Sequence, residues 1–501
     1  MNSNRTEHRL SEFLLYERIL YIAAIALTEI HLQFTIYRFF LPTTFPFLTC
    51  IKWFAAILAF LVVLCLILEK LFAPAMYHQK VKKLKENLSY EQVFLIYLFF
   101  WYIISVALNQ HFYGQYYEPF YIIQENKTWI FVTGMISFLF FPFAFYAGEE
   151  RARRIIECLF KTALIPFAVL SAWILLQVFH GHYITVPSGR QFFMEESTIL
   201  TLSDLNHNLL ACQVMVMCGI ALYMIVTQKG ISRACYFVCL LVMLVFLALT
   251  NSRNYWYCTV MMLNAAAFLL CWNHYDRRKM PIRIGIGLCA VILISVALQF
   301  FREGVFGLMR MSQKYYSGEE MEAVAAVRTV QGDLGNVGNR LPLYKAGLHY
   351  MFTNRFCFLF GITPATGIIV EPLRGMYGVN ETFKYGHMHN IFLQMGMAFG
   401  VPTMLAMIVF VVIQIIRGMR IIFRYRKELF PGAWMVPLLA LCILASDMFE
   451  VSLNSSLKPA CTVFYLMAGW VIMLERSAQR KKTGIKPDNY SQNISIDSTS
   501  E

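Results

Sequence analysis

Apolar runs of about twenty residues recur along this chain, each long enough to cross the hydrocarbon core of a bilayer as a helix. They fall near 17–36, 53–72, 91–108, 128–147, 162–180, 208–227, 234–250, 255–272, 284–301, 389–416, 433–450 and 459–474. A backbone inside lipid must satisfy its own polar groups, which leaves helices or closed barrels, and runs this long select helices. The expected fold class is therefore an all-α polytopic membrane protein with about twelve transmembrane helices. Composition agrees: 58% of residues are hydrophobic and 15% charged, far from the soluble norm. The polar N-terminal stretch carries no signal-peptide pattern, so the first apolar run is expected to remain as a helix.

The segments between the runs alternate in charge. One set carries nineteen cations: Lys80, Lys82, Lys83 and Lys85; Arg151, Arg153, Arg154 and Lys161; Lys229 and Arg233; Arg277, Arg278, Lys279 and Arg283; Arg417, Arg420, Arg424, Arg426 and Lys427. The opposite short loops carry six: Arg38, Lys52, Lys127, Arg190, Arg253 and Lys458. The positive-inside bias assigns the first set, and with it both termini, to the cytoplasm. The expected location is the cytoplasmic (inner) membrane. The net charge of +13 then reports this bias and attraction to membrane lipids, with no nucleic acid implied. The cysteines lie mostly in apolar runs without a Cys-x-x-Cys pair, so they read as small buried hydrophobes.

Helix parity leaves 302–388 on the outer face. The expected organisation is 1–301 with helices 1–9, 302–388 as a large extracytoplasmic loop, 389–475 with helices 10–12, and 476–501 as a polar cytoplasmic tail. Within the loop, 319–329 and 340–352 read as helices, with Pro342 tolerated in the first turn of the second. Gly332 to Asn336 reads as a turn, and Gly361 to Gly367 as an ordered turn. The segment 181–203 reads as a shorter outer loop.

The polar residues left at this face carry the chemistry. Arg253 lies at a tight junction of two apolar helices, where an arginine either snorkels to headgroups or holds an anion such as a diphosphate. Arg340 opens an amphipathic helix. His389, after His387 and Met388, stands where the loop re-enters the membrane, and a histidine there can take a proton from a hydroxyl. Asn390 can orient it or cap the following helix. His387 and His389 are spaced as a metal pair, but no third ligand is evident. Arg190 and the cluster around Asn208 add polar groups on the same side. Asp447 and Glu450 are acids near the outer end of a late helix.

Four segments in order resemble the O-antigen ligase and O-antigen polymerase superfamily of membrane glycosyltransferases. They are SGRQFFMEESTILTLSDLNHNLLA, LTNSRNYW, NRLPLYKAGLHYMFTNRFCFLFGITPATG and GHMHNIFLQMGMAFGVPTML. The resemblance covers roughly 185–415. One departure is Asn254, where the family commonly has glycine after Ser-Arg. The resemblance implies a GT-C-like enzyme that moves a glycan from undecaprenyl diphosphate to an acceptor hydroxyl at the outer face. Arg253 and Arg340 would bind the diphosphate and His389 would be the base, with Arg190, Asn208, His387 and Asn390 in support. Inversion by direct displacement is expected, with no metal or other cofactor. The acceptor is a glycan or a lipid-linked molecule. A ligase-like transfer is favoured; a polysaccharide polymerase is the alternative, and a transporter a more distant one for want of internal repeats.

Overall fold

The computed structural model describes residues 88–113, 149–317, 330–362, 368–379, 387–450 and 459–483 apart from short gaps, and 22–40 and 64–78 in part. The helices expected at 128–147 and 319–329, and the tail beyond 483, lie outside the described residues, as does most of the run at 53–72.

The elements, in chain order, are helices α1 (Tyr90–Tyr113) and α2 (Glu149–Phe179) and strands β1 (Ile184–Thr185), β2 (Gln191–Glu195) and β3 (Ile199–Leu202). Then come α3 (His207–Thr227), α4 (Gly230–Leu249), α5 (Arg253–His274), α6 (Met280–Ser317), α7 (Val330–Thr353) and α8 (Arg355–Phe360). A 3-10 turn (Ile368–Leu373) leads to α9 (Ile391–Phe399), α10 (Val401–Met419), α11 (Met435–Asp447) and α12 (Pro459–Thr483). Six described helices have the length and apolarity to cross a membrane: α2, α3, α4, α5, α6, and α10 with its π-helical extension to Arg424.

Helix α3 is apolar all round and buried from Leu210 to Met224, so it forms the centre of the bundle. Helix α6 is the opposite case, mostly exposed over its apolar length, as a lipid-facing helix would be. Its 38 residues reach about 57 Å at 1.5 Å each. A bilayer core is about 30 Å thick, so α6 continues well beyond 301, the end read from its apolar run. At the end marked by basic loops, Arg417 of α10 bonds Glu91 of α1 at 2.8 Å and also pairs with Glu475 of α12, which Arg420 reaches at 2.9 Å. Both acids are buried, and each is matched by guanidinium, which is what makes a buried carboxylate tolerable.

Four local expectations differ from the structure. Residues 184–202 form a three-stranded antiparallel sheet in the order β1-β2-β3. Phe192 anchors it, stacked on Phe40 at 5.7 Å and edge-on to Phe246 at 6.3 Å. The stretch 332–336 is helical, because glycine adopts helical dihedrals as readily as turn dihedrals when the flanking chain continues the helix. Pro342 consequently sits inside α7 and not in its first turn. The run 389–416 is two helices, broken at Gly400, which has φ 93°.

That break is enforced by close packing. A Cβ at Gly400 would lie 2.3 Å from the Leu359 carbonyl oxygen, and one at Gly361 2.3 Å from Phe399 N. The two glycines let the ends of α8 and α9 cross in backbone contact, tied by Ile362 N donating to Met397 O at 2.6 Å. This crossing sets where the chain enters α9, and hence where the residues before it point.

Candidate functional site

The last carbonyls of a helix have no partner within it and must find one elsewhere. At the end of α11, side chains from three other elements bond the carbonyls of the last residues and the turn that follows, Ser446 O also accepting from the backbone N–H of Glu450 at 3.0 Å. Asn254 Nδ2 donates to Ser446 O at 3.1 Å, Asn390 Nδ2 to Met448 O at 3.3 Å, and Arg340 Nη1 to Phe449 O at 2.5 Å. The end of α11 thus gathers the chain around Arg253, the start of α9 and the middle of α7 at one place.

Glu450 follows directly and is 5% exposed. Its Oε1 pairs with Arg340 Nη2 at 3.3 Å. Its Oε2 lies 3.3 Å from His389 Nδ1 and 3.7 Å from His387 Nε2. The His389 contact is an ion-pair distance without hydrogen-bond alignment. One carboxylate therefore faces one guanidinium and two imidazoles. Burial makes a carboxylate costly unless it is matched by positive charge and donors, and here it is.

The backbone presents these groups in a strained form. His389 has φ 51°, in the left-handed region that histidine tolerates better than most side chains. Its N–H donates to His387 Nδ1 at 3.2 Å, which makes Nδ1 the acceptor and leaves the His387 proton on Nε2, facing Glu450. The rings lie 4.1 Å apart. Tyr344, one turn beyond Arg340 on the same face of α7, donates its hydroxyl to His389 O at 2.9 Å. Burial pushes the Tyr344 phenol up; the Arg340 guanidinium opposes this and the Glu450 charge adds to it. Tyr344 is therefore a firm donor at neutral pH. Asn390 caps α9, its Oδ1 accepting from Phe392 N at 3.0 Å and Leu393 N at 3.2 Å.

With the carboxylate opposite Nδ1, the favoured neutral tautomer of His389 keeps its proton there and its lone pair on Nε2. Such an imidazole can accept a proton while the carboxylate stabilises the imidazolium formed. The same atoms also answer the question of a third metal ligand. His387, His389 and Glu450 each offer an atom, all within 4.8 Å of one another. The sequence showed no such partner because it lies far along the chain. Two imidazoles and a carboxylate suit a divalent transition metal in their donor chemistry, but Arg340 already supplies a positive charge to that carboxylate.

The structure brings Arg340, His387, His389 and Asn390 together. Arg253 is the first residue of α5, and Asn254 next to it reaches the same α11 end. Asn208, at the start of α3, accepts from the Ser252 hydroxyl at 2.5 Å, so it supports the turn that carries Arg253. Arg190 stands on the sheet, ahead of β2, where its carbonyl accepts from Val186 N at 2.9 Å. Two contributors had no assigned role in the sequence. Tyr344 was signalled only by its i+4 spacing from Arg340, and Glu450 only as an acid at the end of an apolar run.

The family described as O-antigen ligase matches residues 238–408. That stretch runs from α4 into α10 and contains Arg253, Arg340, His387, His389 and Asn390, while Glu450, Asn208 and Arg190 lie outside it. A comparison with curated proteins finds no match.

Proposed function

Residues 238–408 place this chain in the O-antigen ligase superfamily, and from that premise we propose that it is a ligase-like glycosyltransferase of the cytoplasmic membrane. It moves a glycan from undecaprenyl diphosphate to an acceptor hydroxyl at the outer face. The hydroxyl oxygen attacks the anomeric carbon as the carbon–oxygen bond to the diphosphate breaks. The leaving diphosphate takes the bonding electron pair, the hydroxyl proton passes to His389, and the anomeric centre inverts.

In this reading His389 Nε2 is the general base, and Glu450 holds its tautomer and balances the imidazolium. Arg340 and Arg253 stabilise the charge that grows on the diphosphate, as preorganised cations do best in a site shielded from water. Arg340 is held in place beforehand by the Phe449 carbonyl and Glu450, so little reorganisation accompanies the reaction. No metal takes part. The observation that carries the proposal is Glu450 placed between His389 and Arg340, which couples a base and a cation through one buried anion.

The test is glycan analysis of a strain lacking the gene, complemented with the wild type or with His389→Ala. Long chains retained on the carrier lipid and absent from the acceptor are the expected result. Single repeat units without a ladder would make the protein a polymerase of the same superfamily. An unchanged profile, or full rescue by His389→Ala, would overturn the assignment.

A further inference from the structure

Arg302 is one of the largest fully buried side chains among the described residues, at 1% exposure. It lies on α6 just past the apolar run, and its guanidinium sits over the rings of Trp256 at 5.4 Å and Phe306 at 5.8 Å. An arginine buried this deeply is normally matched to a carboxylate. Instead its Nη2 donates to a neutral acceptor, Asn251 Oδ1, at 2.9 Å, and its Nε carries no hydrogen bond among the described residues. Its other side-chain hydrogen-bond partner is the Tyr257 hydroxyl, so this buried cation rests on two neutral groups, and of these only Asn251 belongs to the turn before Arg253.

Asn251 belongs to the turn between α4 and α5 and has φ 49°, in the left-handed region that asparagine adopts more readily than most side chains. Ser252 occupies the N-cap of α5, yet its side chain does not cap the helix; its hydroxyl goes to Asn208 on α3. Asn254 is held by the Ser446 carbonyl at the end of α11. Every residue flanking Arg253 is thus fixed from a different helix: Asn251 from α6, Ser252 from α3 and Asn254 from α11. The turn lacks the self-capping that would hold it alone, so its geometry is imposed from outside.

We propose that Arg302 is a positioning residue for Arg253, acting through Asn251, and so sets how Arg253 meets the diphosphate of the lipid-linked donor. This rests on the reading of Arg253 given above. Arg302 does not touch the donor; it holds the left-handed turn that launches α5 with Arg253 as its first residue.

The experiment is a double-mutant cycle on transfer activity in membranes, with kcat and KM for the lipid-linked donor and protein level measured together. Asn251→Gly keeps the positive φ and removes only the acceptor, and Arg302→Met keeps the bulk and removes the donor. Each is expected to lower kcat/KM at least tenfold at normal membrane abundance. Neither should lower it further in an Arg253→Ala background, because all three changes remove one function. Wild-type activity of Asn251→Gly, or a loss that multiplies with that of Arg253→Ala, overturns the inference while the proposed role of Arg253 stands. Full activity of Arg253→Ala itself would remove Arg253 from the reaction, and the positioning role with it.

Discussion

Glu450 Oε2 lies 3.3 Å from His389 Nδ1, while the other oxygen of the same carboxylate lies 3.3 Å from Arg340 Nη2. Glu450→Gln keeps the size and removes the charge. It should lower kcat by roughly 10²-fold or more, within the range a general base contributes. Glu450→Ala should do at least as much harm, because it leaves the half-buried Arg340 guanidinium without its carboxylate. Steady-state kinetics on purified lipid-linked donor checks both, and a fully active Glu450→Gln would remove the carboxylate from catalysis.

Tyr344→Phe isolates the support beneath the base. The ring remains and the 2.9 Å bond to the His389 carbonyl is lost, a contribution of about 0.5–1.5 kcal/mol for a hydrogen bond. The strained backbone at His389 should relax, with a several-fold fall in kcat and little change in KM. Because burial raises the Tyr344 phenol, folding binds its proton more tightly than the unfolded chain does. Its stabilising contribution is complete below the ordinary phenol range near pH 10 and is lost as pH rises through the raised value. Thermal unfolding of wild type and Tyr344→Phe in detergent should therefore differ at pH 8 and converge at strongly alkaline pH.

The long helices were legible because a bilayer demands a length and an apolarity that a single run displays: the run at 208–227 and helix α3 differ by one residue. The break at Gly400 was hidden because hydropathy is blind to dihedral angles, although Gly400-Val401-Pro402 carries the punctuation of a break. Strand β2, QFFME, lacks the alternation that marks a half-buried strand, so the sheet read as a loop. His389, Arg340 and Asn390 stood out by type and by side. Glu450 could not be joined to them, since its partners come from helices distant in sequence, and nothing in the sequence around Arg302 sets it apart from any charge that follows an apolar run.

Metal dependence separates two uses of the same three side chains. If His389 is a base, chelation with EDTA leaves transfer activity intact, and metal analysis of the purified protein finds no stoichiometric transition metal. His387→Ala should then retain much of the activity, since His387 only lines the carboxylate. Loss of activity on chelation, restored by zinc or manganese and abolished by His387→Ala, would make His387, His389 and Glu450 ligands and displace His389 as base.

The crossing of α8 and α9 gives a prediction about stability with its own internal control. Gly375 has φ 78° with open space around it, so Gly375→Ala introduces backbone strain alone, of about 1 kcal/mol. Gly400 has φ 93° and ψ 163°, a region open essentially to glycine alone, and Gly400→Ala adds to that strain a Cβ at 2.3 Å from the Leu359 carbonyl oxygen, a backbone atom that cannot rotate away. The helices must part, which loosens the entry to α9 and the His389 backbone before it. Gly400→Ala should therefore lower the thermal midpoint in detergent by clearly more than Gly375→Ala, and should lower transfer activity as well. Equal midpoints for the two variants would mean that α8 and α9 do not meet through Gly400.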